Sequence, residues 1–99
     1  MLRCNMTTAS LSLQLGLEDV LGDLHYARMK GDLGRLALIA YCDVRRWARQ
    51  AGEPGLAEHS SELIAHGPHA NREAFIADVD RLIIELEQAR TRIVVPQAS

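Results

Sequence analysis

The chain has 99 residues, of which 47% are hydrophobic and 24% are charged, and its formal net charge is −2. This length predicts one domain with a single core, and the scarcity of aromatic residues predicts that Leu, Ile, Val and Ala fill it. The near-neutral charge gives no general attraction to nucleic acid or acidic lipid, and no apolar run approaches the roughly 20 residues of a membrane span. The first ten residues lack a signal-peptide pattern, so we expect a cytoplasmic protein.

The first helix is predicted to follow a flexible leader, residues 1–9, with Thr7, Thr8 or Ser10 as its cap. Its inward stripe has spacings of three and four and comprises Leu13, Leu17, Val20, Leu24 and Ala27, with Leu21 beside it. The leucines from Leu11 to Leu17 also alternate with polar or small residues, as in a strand. Because no other segment could pair with a lone strand, we favour a helix, starting near Ser10 or at Leu17.

A central helix is predicted from Leu33 to Ala51, after a stop at Gly31 and a cap at Asp32. Its inward stripe comprises Leu33, Leu36, Ala37, Ala40, Val44, Trp47, Ala48 and Ala51. In its first half the opposite side is also apolar, through Leu38, Ile39, Tyr41 and Cys42. We therefore expect that half to be buried nearly all round, with Cys42 as a buried free thiol and no disulfide framework in the chain. The indole N–H of Trp47 then needs a partner such as a backbone carbonyl.

A third helix is predicted from Pro54 to Gly67-Pro68, and a last, long helix follows a cap at Asn71. The third helix faces inward with Leu56, Ala57, Ser60, Leu63 and Ile64, and the last with Phe75, Val79, Leu82, Leu86, Ala89 and Ile93. Pro96 ends the last helix, so residues 10–95 form one helical domain and residues 96–99 a disordered tail. Four helices joined by short loops predict an all-α fold, a compact and mostly antiparallel four-helix bundle.

Two surfaces are candidates for contact with a partner. Ile76, Ile83, Ile84 and Val94 widen the apolar face of the last helix beyond what three short neighbours can cover, which predicts a homodimer. Arg35, Arg46 and Arg49 form a basic ridge on the central helix, where Arg45 adds charge and Asp43 is the one acidic residue. Such a ridge suits phosphate or an acidic partner, and its alternative is a solvated helix face paired with the glutamates of a neighbouring helix. Binding of nucleic acid is disfavoured, because stacking aromatics and a groove-reading element are lacking.

Histidines and carboxylates give no catalytic or metal-binding constellation. His59, His66 and His69 surround one loop, but no cysteine or carboxylate pair joins them at ligand spacing. We therefore expect no metal, no cofactor and no catalytic site.

His25 supports an alternative. His25, Lys30 and Gly34, placed ahead of a long helix, resemble the signature of histidine-phosphotransfer domains, which are helical bundles of similar size. The resemblance implies that His25 accepts a phosphoryl group and that Lys30 offsets its charge. The spacing departs from the family pattern, since four residues rather than two separate histidine and lysine, and Tyr26 is bulky where the family has room for a response regulator.

The sequence thus favours a non-enzymatic protein that acts by binding another protein, also as a homodimer. A phosphotransfer module that uses His25 is the alternative.

Overall fold

Helices make up the chain in the computed structural model, which describes the backbone of residues 2–93 and the side chains of residues 11–63, 65 and 71–93. They are α1 (Leu2–Lys30), α2 (Leu33–Leu38), a π-helical segment (Ile39–Val44), α3 (Arg45–Ala51), α4 (Pro54–Ala70) and α5 (Arg72–Ile93). The α2 helix, the π segment and α3 follow one another without a break and are called the central helix, residues 33–51. The fold is the predicted all-α four-helix bundle.

Several sequence expectations fall on residues that the structure does not describe. They concern the tail at residues 96–99, Val94, and the side chains of Cys4, Ile64, His66 and His69.

The helices follow one another around the bundle because their connections are short. The central helix packs between α1 and α4, and α5 packs against both α4 and α1. Gly31 and Gly52 end their helices with φ of 69° and 72°, a left-handed conformation that glycine adopts at little cost. Asp32 and Asn71 start the next helices as predicted: Asp32 Oδ1 accepts the backbone N–H of Arg35 at 3.1 Å, and Asn71 Oδ1 that of Ala74 at 3.0 Å.

The core is formed by the inward stripes that the sequence predicts. Its fully buried large side chains are Leu17, Leu24, Leu36, Val44, Leu63, Val79, Leu82 and Leu86, together with Ser60. The Ser60 hydroxyl donates to the carbonyl of Ala57 at 2.8 Å, so this buried polar group is satisfied. Each helix thus contributes an apolar stripe at helical spacing to one shared core.

Trp47 fixes how the central helix lies on α1. Its indole N–H donates to the carbonyl of Leu13 at 2.9 Å, which confirms the expected backbone partner. A Cβ atom at Gly16 would lie 3.2 Å from Cδ1 of Trp47. Gly16 therefore gives the indole room against the α1 backbone. The alternating leucines Leu11 to Leu17 that frame this contact are helical.

Two helix ends differ from the expected ones. The helical backbone of α1 begins at Leu2 and so includes most of the range 1–9. The prediction that α4 ends at Gly67-Pro68 is wrong, because α4 continues to Ala70. Asn71, with extended backbone angles of −162° and 109°, separates α4 from α5 and caps α5 as well. Asn71 therefore both ends α4 and caps the start of α5.

The expected all-round burial of the first half of the central helix is wrong. Leu38 is 58% exposed and Tyr41 44% exposed, and the Cys42 thiol is exposed rather than buried. Ile39, by contrast, is buried as expected, at 4%. The physical reason is that α1 and α4 flank the central helix on its inner side and leave its outer side to solvent.

Candidate interaction surface

Exposed apolar side chains concentrate on the hairpin formed by α1 and the central helix. In the described part of the chain, seven large hydrophobic residues are exposed: Leu11, Leu15, Tyr26, Met29, Leu38, Tyr41 and Ile84. Six of these belong to the hairpin, and Ile84 alone belongs to α5. Scattered exposed apolar residues are ordinary on a monomer, but clustering on one side is typical of an interaction surface.

The outer side of the central helix combines this apolar surface with positive charge. We call Leu38, Tyr41, Cys42, Arg45 and Arg49 the basic face. Tyr41, Cys42, Arg45 and Arg49 line a shallow open depression of about 450 Å³, with Arg46 and Gln50 at its edge. The Arg45 guanidinium lies 5.1 Å from the centre of the Tyr41 ring, an attractive cation–π arrangement. This stacking holds the ring and the charge next to one another.

The arginines of the central helix have few partners. Arg46 forms an ion pair with Asp43 at 3.2 Å within the same helix. Arg35, Arg45 and Arg49 form no ion pair with any residue in the described part of the chain. Arg35 is exposed at the start of the helix and precedes the π segment, while Arg46 and Arg49 follow it. Positive charge on this side is therefore available to a partner.

The π segment lies in the middle of the basic face and contributes Tyr41 and Cys42. Hydrogen bonds from residue i to i+5 replace the usual pattern over Ile39–Val44, and they widen the helix locally. Segments of this type are rare and occur frequently at functional sites. The sequence contains no proline or glycine here that would have indicated it.

The expected apolar edge of α5 is not a continuous surface. Ile83 is a core residue with 6% exposure, Ile76 is half-buried and Ile84 is 53% exposed. The expectation that all three are exposed is therefore wrong for Ile83. The helices α1 and α4 together cover more of α5 than the sequence suggests.

His25 is exposed on α1, as phosphotransfer would require. Its side chain is 57% exposed, and Nε2 lies 3.6 Å from Oε2 of Glu87 on α5. The Lys30 ammonium lies 5.4 Å from the centre of the Tyr26 ring, so a cation–π contact holds it. The immediate neighbour of the imidazole is thus a carboxylate.

His59 is bound between two carboxylates, an arrangement that sequence reasoning missed. Nδ1 lies 2.9 Å from Glu85 Oε1 and Nε2 lies 3.0 Å from Asp78 Oδ1, while the side chain is only 14% exposed. Burial disfavours the imidazolium, but the hydrogen bonds to Glu85 and Asp78 outweigh it, so the pKa of His59 is raised above its ordinary value. The seven-residue spacing of Asp78 and Glu85 places both on one side of α5, which is the available sequence signal.

A second cleft of about 300 Å³ lies between α1 and the central helix. Asp19 and Asp23 of α1 line it together with Asp43, Arg46 and Trp47. Within the described residues, no group of three or more histidine, cysteine or acidic side chains is placed to hold a metal ion. The cleft thus brings three carboxylates together with Arg46 next to the basic face.

Comparison of the chain with models of protein families, with curated proteins and with solved structures finds no match. None of the helices described is both long and apolar enough to cross a membrane.

Proposed function

We propose that this protein acts by binding another protein through the basic face of its central helix. The observation that carries the proposal is the exposed Leu38–Tyr41–Cys42 surface bordered by Arg45 and Arg49, which have no ion-pair partner among the described residues. Such a surface suits a helix that presents apolar side chains together with carboxylates. The protein is a binding module rather than an enzyme and acts in the cytoplasm, where an exposed thiol such as Cys42 stays reduced.

The complementary chemistry has two parts that an experiment can separate. Arginines favour acidic partners through long-range attraction, whereas the apolar residues favour a partner that can be desolvated. A partner that is only acidic would bind weakly and lose its affinity in salt. A partner that is both acidic and apolar would keep a large part of its affinity in salt.

Fluorescence anisotropy with a labelled synthetic peptide tests this proposal. The probe is an amphipathic helix with leucine and glutamate on one side, and its reference is an equally acidic peptide without leucine. We expect the amphipathic probe to bind more tightly and to lose about tenfold or more in affinity with the double variant Arg45→Glu, Arg49→Glu.

The matched control is Arg72→Glu, which reverses an exposed arginine in the first turn of α5, where a carboxylate suits the helix dipole. It should bind the probe like the wild type. Equal binding by all three proteins, or tighter binding of a single-stranded oligonucleotide than of either peptide, would contradict the proposal.

Phosphotransfer by His25 is a second candidate that one observation favours, the 57% exposure of the imidazole. The nearby Glu87 carboxylate opposes it, because a phosphoryl group on Nε2 would bring negative charge close to that carboxylate. Incubation with acetyl phosphate tests this candidate. Acid-labile phosphate on the wild type that is absent from His25→Gln would support it, and no incorporation into either protein would exclude it.

A further inference from the structure

The outer side of α1 carries exposed aspartates and an open space at Gly22, neither of which the basic face has. We call Leu15, Asp19, Gly22, Asp23 and Tyr26 the acidic face, and all five residues are exposed. Leu15 and Tyr26 are both 60% exposed and lie at its two ends, with Asp19 and Asp23 between them. A Cβ atom at Gly22 would have no neighbour within 4 Å, so the middle of this face leaves open space.

The acidic and basic faces lie side by side and run in opposite directions. The contact of Trp47 with Gly16 fixes their relative height, and Asp19 and Arg46 line the same cleft. Because the two helices are antiparallel, moving one residue toward the N-terminus of the central helix reaches the height of the next residue toward the C-terminus of α1. Within about one helical turn, Arg45 is therefore level with Asp19, Cys42 with Gly22, and Leu38 with Tyr26.

A second copy of the chain fits this pattern. A two-fold axis parallel to the helices keeps the position of each residue along that axis and exchanges the sides on which α1 and the central helix lie. It therefore places α1 of one copy opposite the central helix of the other, and these two helices are antiparallel. Arg45 then meets Asp19 of the second copy, Leu38 meets Tyr26, and Tyr41 and Cys42 lie against the space at Gly22. Because the contact occurs twice, the surface is self-complementary, as a symmetric dimer requires.

We propose that the partner bound by the basic face is the acidic face of a second copy of this chain. Charge complementarity favours this occupant, since Arg45 and Arg49 have no ion-pair partner in the described part and the exposed Asp19 is level with Arg45. Arg49 and Asp23 lie about one helical turn to either side of that level. The two faces also have the same length, as Leu15 to Tyr26 and Leu38 to Arg49 each span eleven residue steps. This inference rests on the proposed function and specifies its partner.

Charge exchange tests the proposal by sedimentation velocity over a wide range of concentrations. The first variant combines Arg45→Glu with Arg49→Glu, and the second combines Asp19→Arg with Asp23→Arg. Each variant alone places like charges across both contacts, so each should be monomeric at concentrations where the wild type is a dimer. An equimolar mixture places opposite charges across both contacts and should restore the dimer.

The control Arg72→Glu should dimerise like the wild type, and circular dichroism should report the same helix content for all variants. A wild type that remains monomeric at every concentration, or a mixture that remains monomeric while the wild type dimerises, would overturn the proposal. A monomer that still binds the amphipathic acidic peptide would overturn the second copy as partner but leave the proposed function standing. A wild type that neither dimerises nor binds the peptide would overturn both.

Cross-linking tests the same contact without reversing any charge. In a Cys4→Ser background, Gly22→Cys places a thiol opposite Cys42 of the second copy. Oxidation with copper phenanthroline in air should join these two thiols as a covalent dimer on a non-reducing gel. Ile84→Cys, which is exposed on α5, is the matched control and should give far less dimer. Equal cross-linking of both variants would contradict the proposed contact.

Discussion

The charged side chains of α5 and those of the central helix differ in whether they are paired within the fold. Among the described residues, six pairs of ionisable side chains join α5 to α1 or to α4 and its cap: Glu18–Arg90, His25–Glu87, Arg28–Asp80, Glu53–Arg92, His59–Asp78 and His59–Glu85. On the central helix, Arg35, Arg45 and Arg49 have no such partner among the described residues. From Asp78 to Arg92 the charges of α5 are thus used within the fold, while Arg35, Arg45 and Arg49 of the central helix remain for contact with another molecule.

The apolar residues repeat this contrast. In the described part of α5, Ile83 is buried and Ile84 is the one exposed large apolar residue, whereas the central helix exposes both Leu38 and Tyr41 beside its unpaired arginines. A helix that is fully committed to its own bundle hides its apolar side chains and pairs its charges. A helix that exposes both to solvent is the better candidate for binding, and the following variants test that distinction.

The largest expected effect separates the inner from the outer side of the central helix. Leu36 is fully buried, so Leu36→Ala should lower the free energy of unfolding by about 2–5 kcal/mol. Leu38 is 58% exposed, so Leu38→Ala should change it by less than about 0.5 kcal/mol. Urea unfolding measures both. A loss of similar size for Leu38→Ala would show that this residue is buried and that the basic face is misplaced.

An intermediate effect concerns the ion pairs of α5 and depends on pH. Because the folded pKa of His59 is raised above its ordinary value of 6.5, protonated His59 stabilises the fold below about pH 6.5. That stabilisation is lost as the pH rises through the folded pKa. His59→Gln should therefore cost about 1–3 kcal/mol at about pH 5.5 and distinctly less at about pH 9. Urea unfolding of both proteins at the two pH values measures the difference. A cost in free energy that stays constant, or grows with pH, would contradict the placement of His59 between the Asp78 and Glu85 carboxylates.

The smallest effect compares two glycines of α1, one on each side of that helix. Gly22 faces open space, so Gly22→Ala should raise the free energy of unfolding by about 0.5–1 kcal/mol through helix propensity. At Gly16 the new methyl group would press on Trp47 at 3.2 Å, so Gly16→Ala should gain less or lose stability. Thermal unfolding at low protein concentration measures the pair without interference from self-association. Equal gains would mean that Trp47 does not pack on Gly16.

The sequence predicts the inward stripes and the helix caps because these depend on local spacing. Leu36, Val79 and Leu86 lie in the core for that reason, and Asn71 caps α5 for the same reason. The number of neighbours around a helix is not local, however. An apolar side chain such as Tyr41 is therefore predicted to be buried although no other helix covers it.

The candidate interaction surface was only partly predictable from the sequence. The excess of arginine on the central helix is visible in the sequence, and Arg46 and Arg49 are exposed as a ridge requires. The π segment has no sequence signature, and the pairing of His59 with Asp78 and Glu85 joins residues on two helices. Asp19 and Arg45 lie at the same level because Trp47 packs on Gly16 and so sets the register of the two helices. This tertiary contact cannot be read from the sequence.

The reactivity of the Cys42 thiol reports whether the basic face is exposed in the free chain and covered by its proposed partner. In a Cys4→Ser variant, the rate of reaction with a disulfide reagent is followed as the protein concentration is raised. We expect a fast reaction in dilute protein, as for an exposed thiol, and progressive protection of the thiol as the chain associates. A thiol that reacts only after unfolding, or at one unchanged rate at every concentration while the chain dimerises, would contradict this expectation.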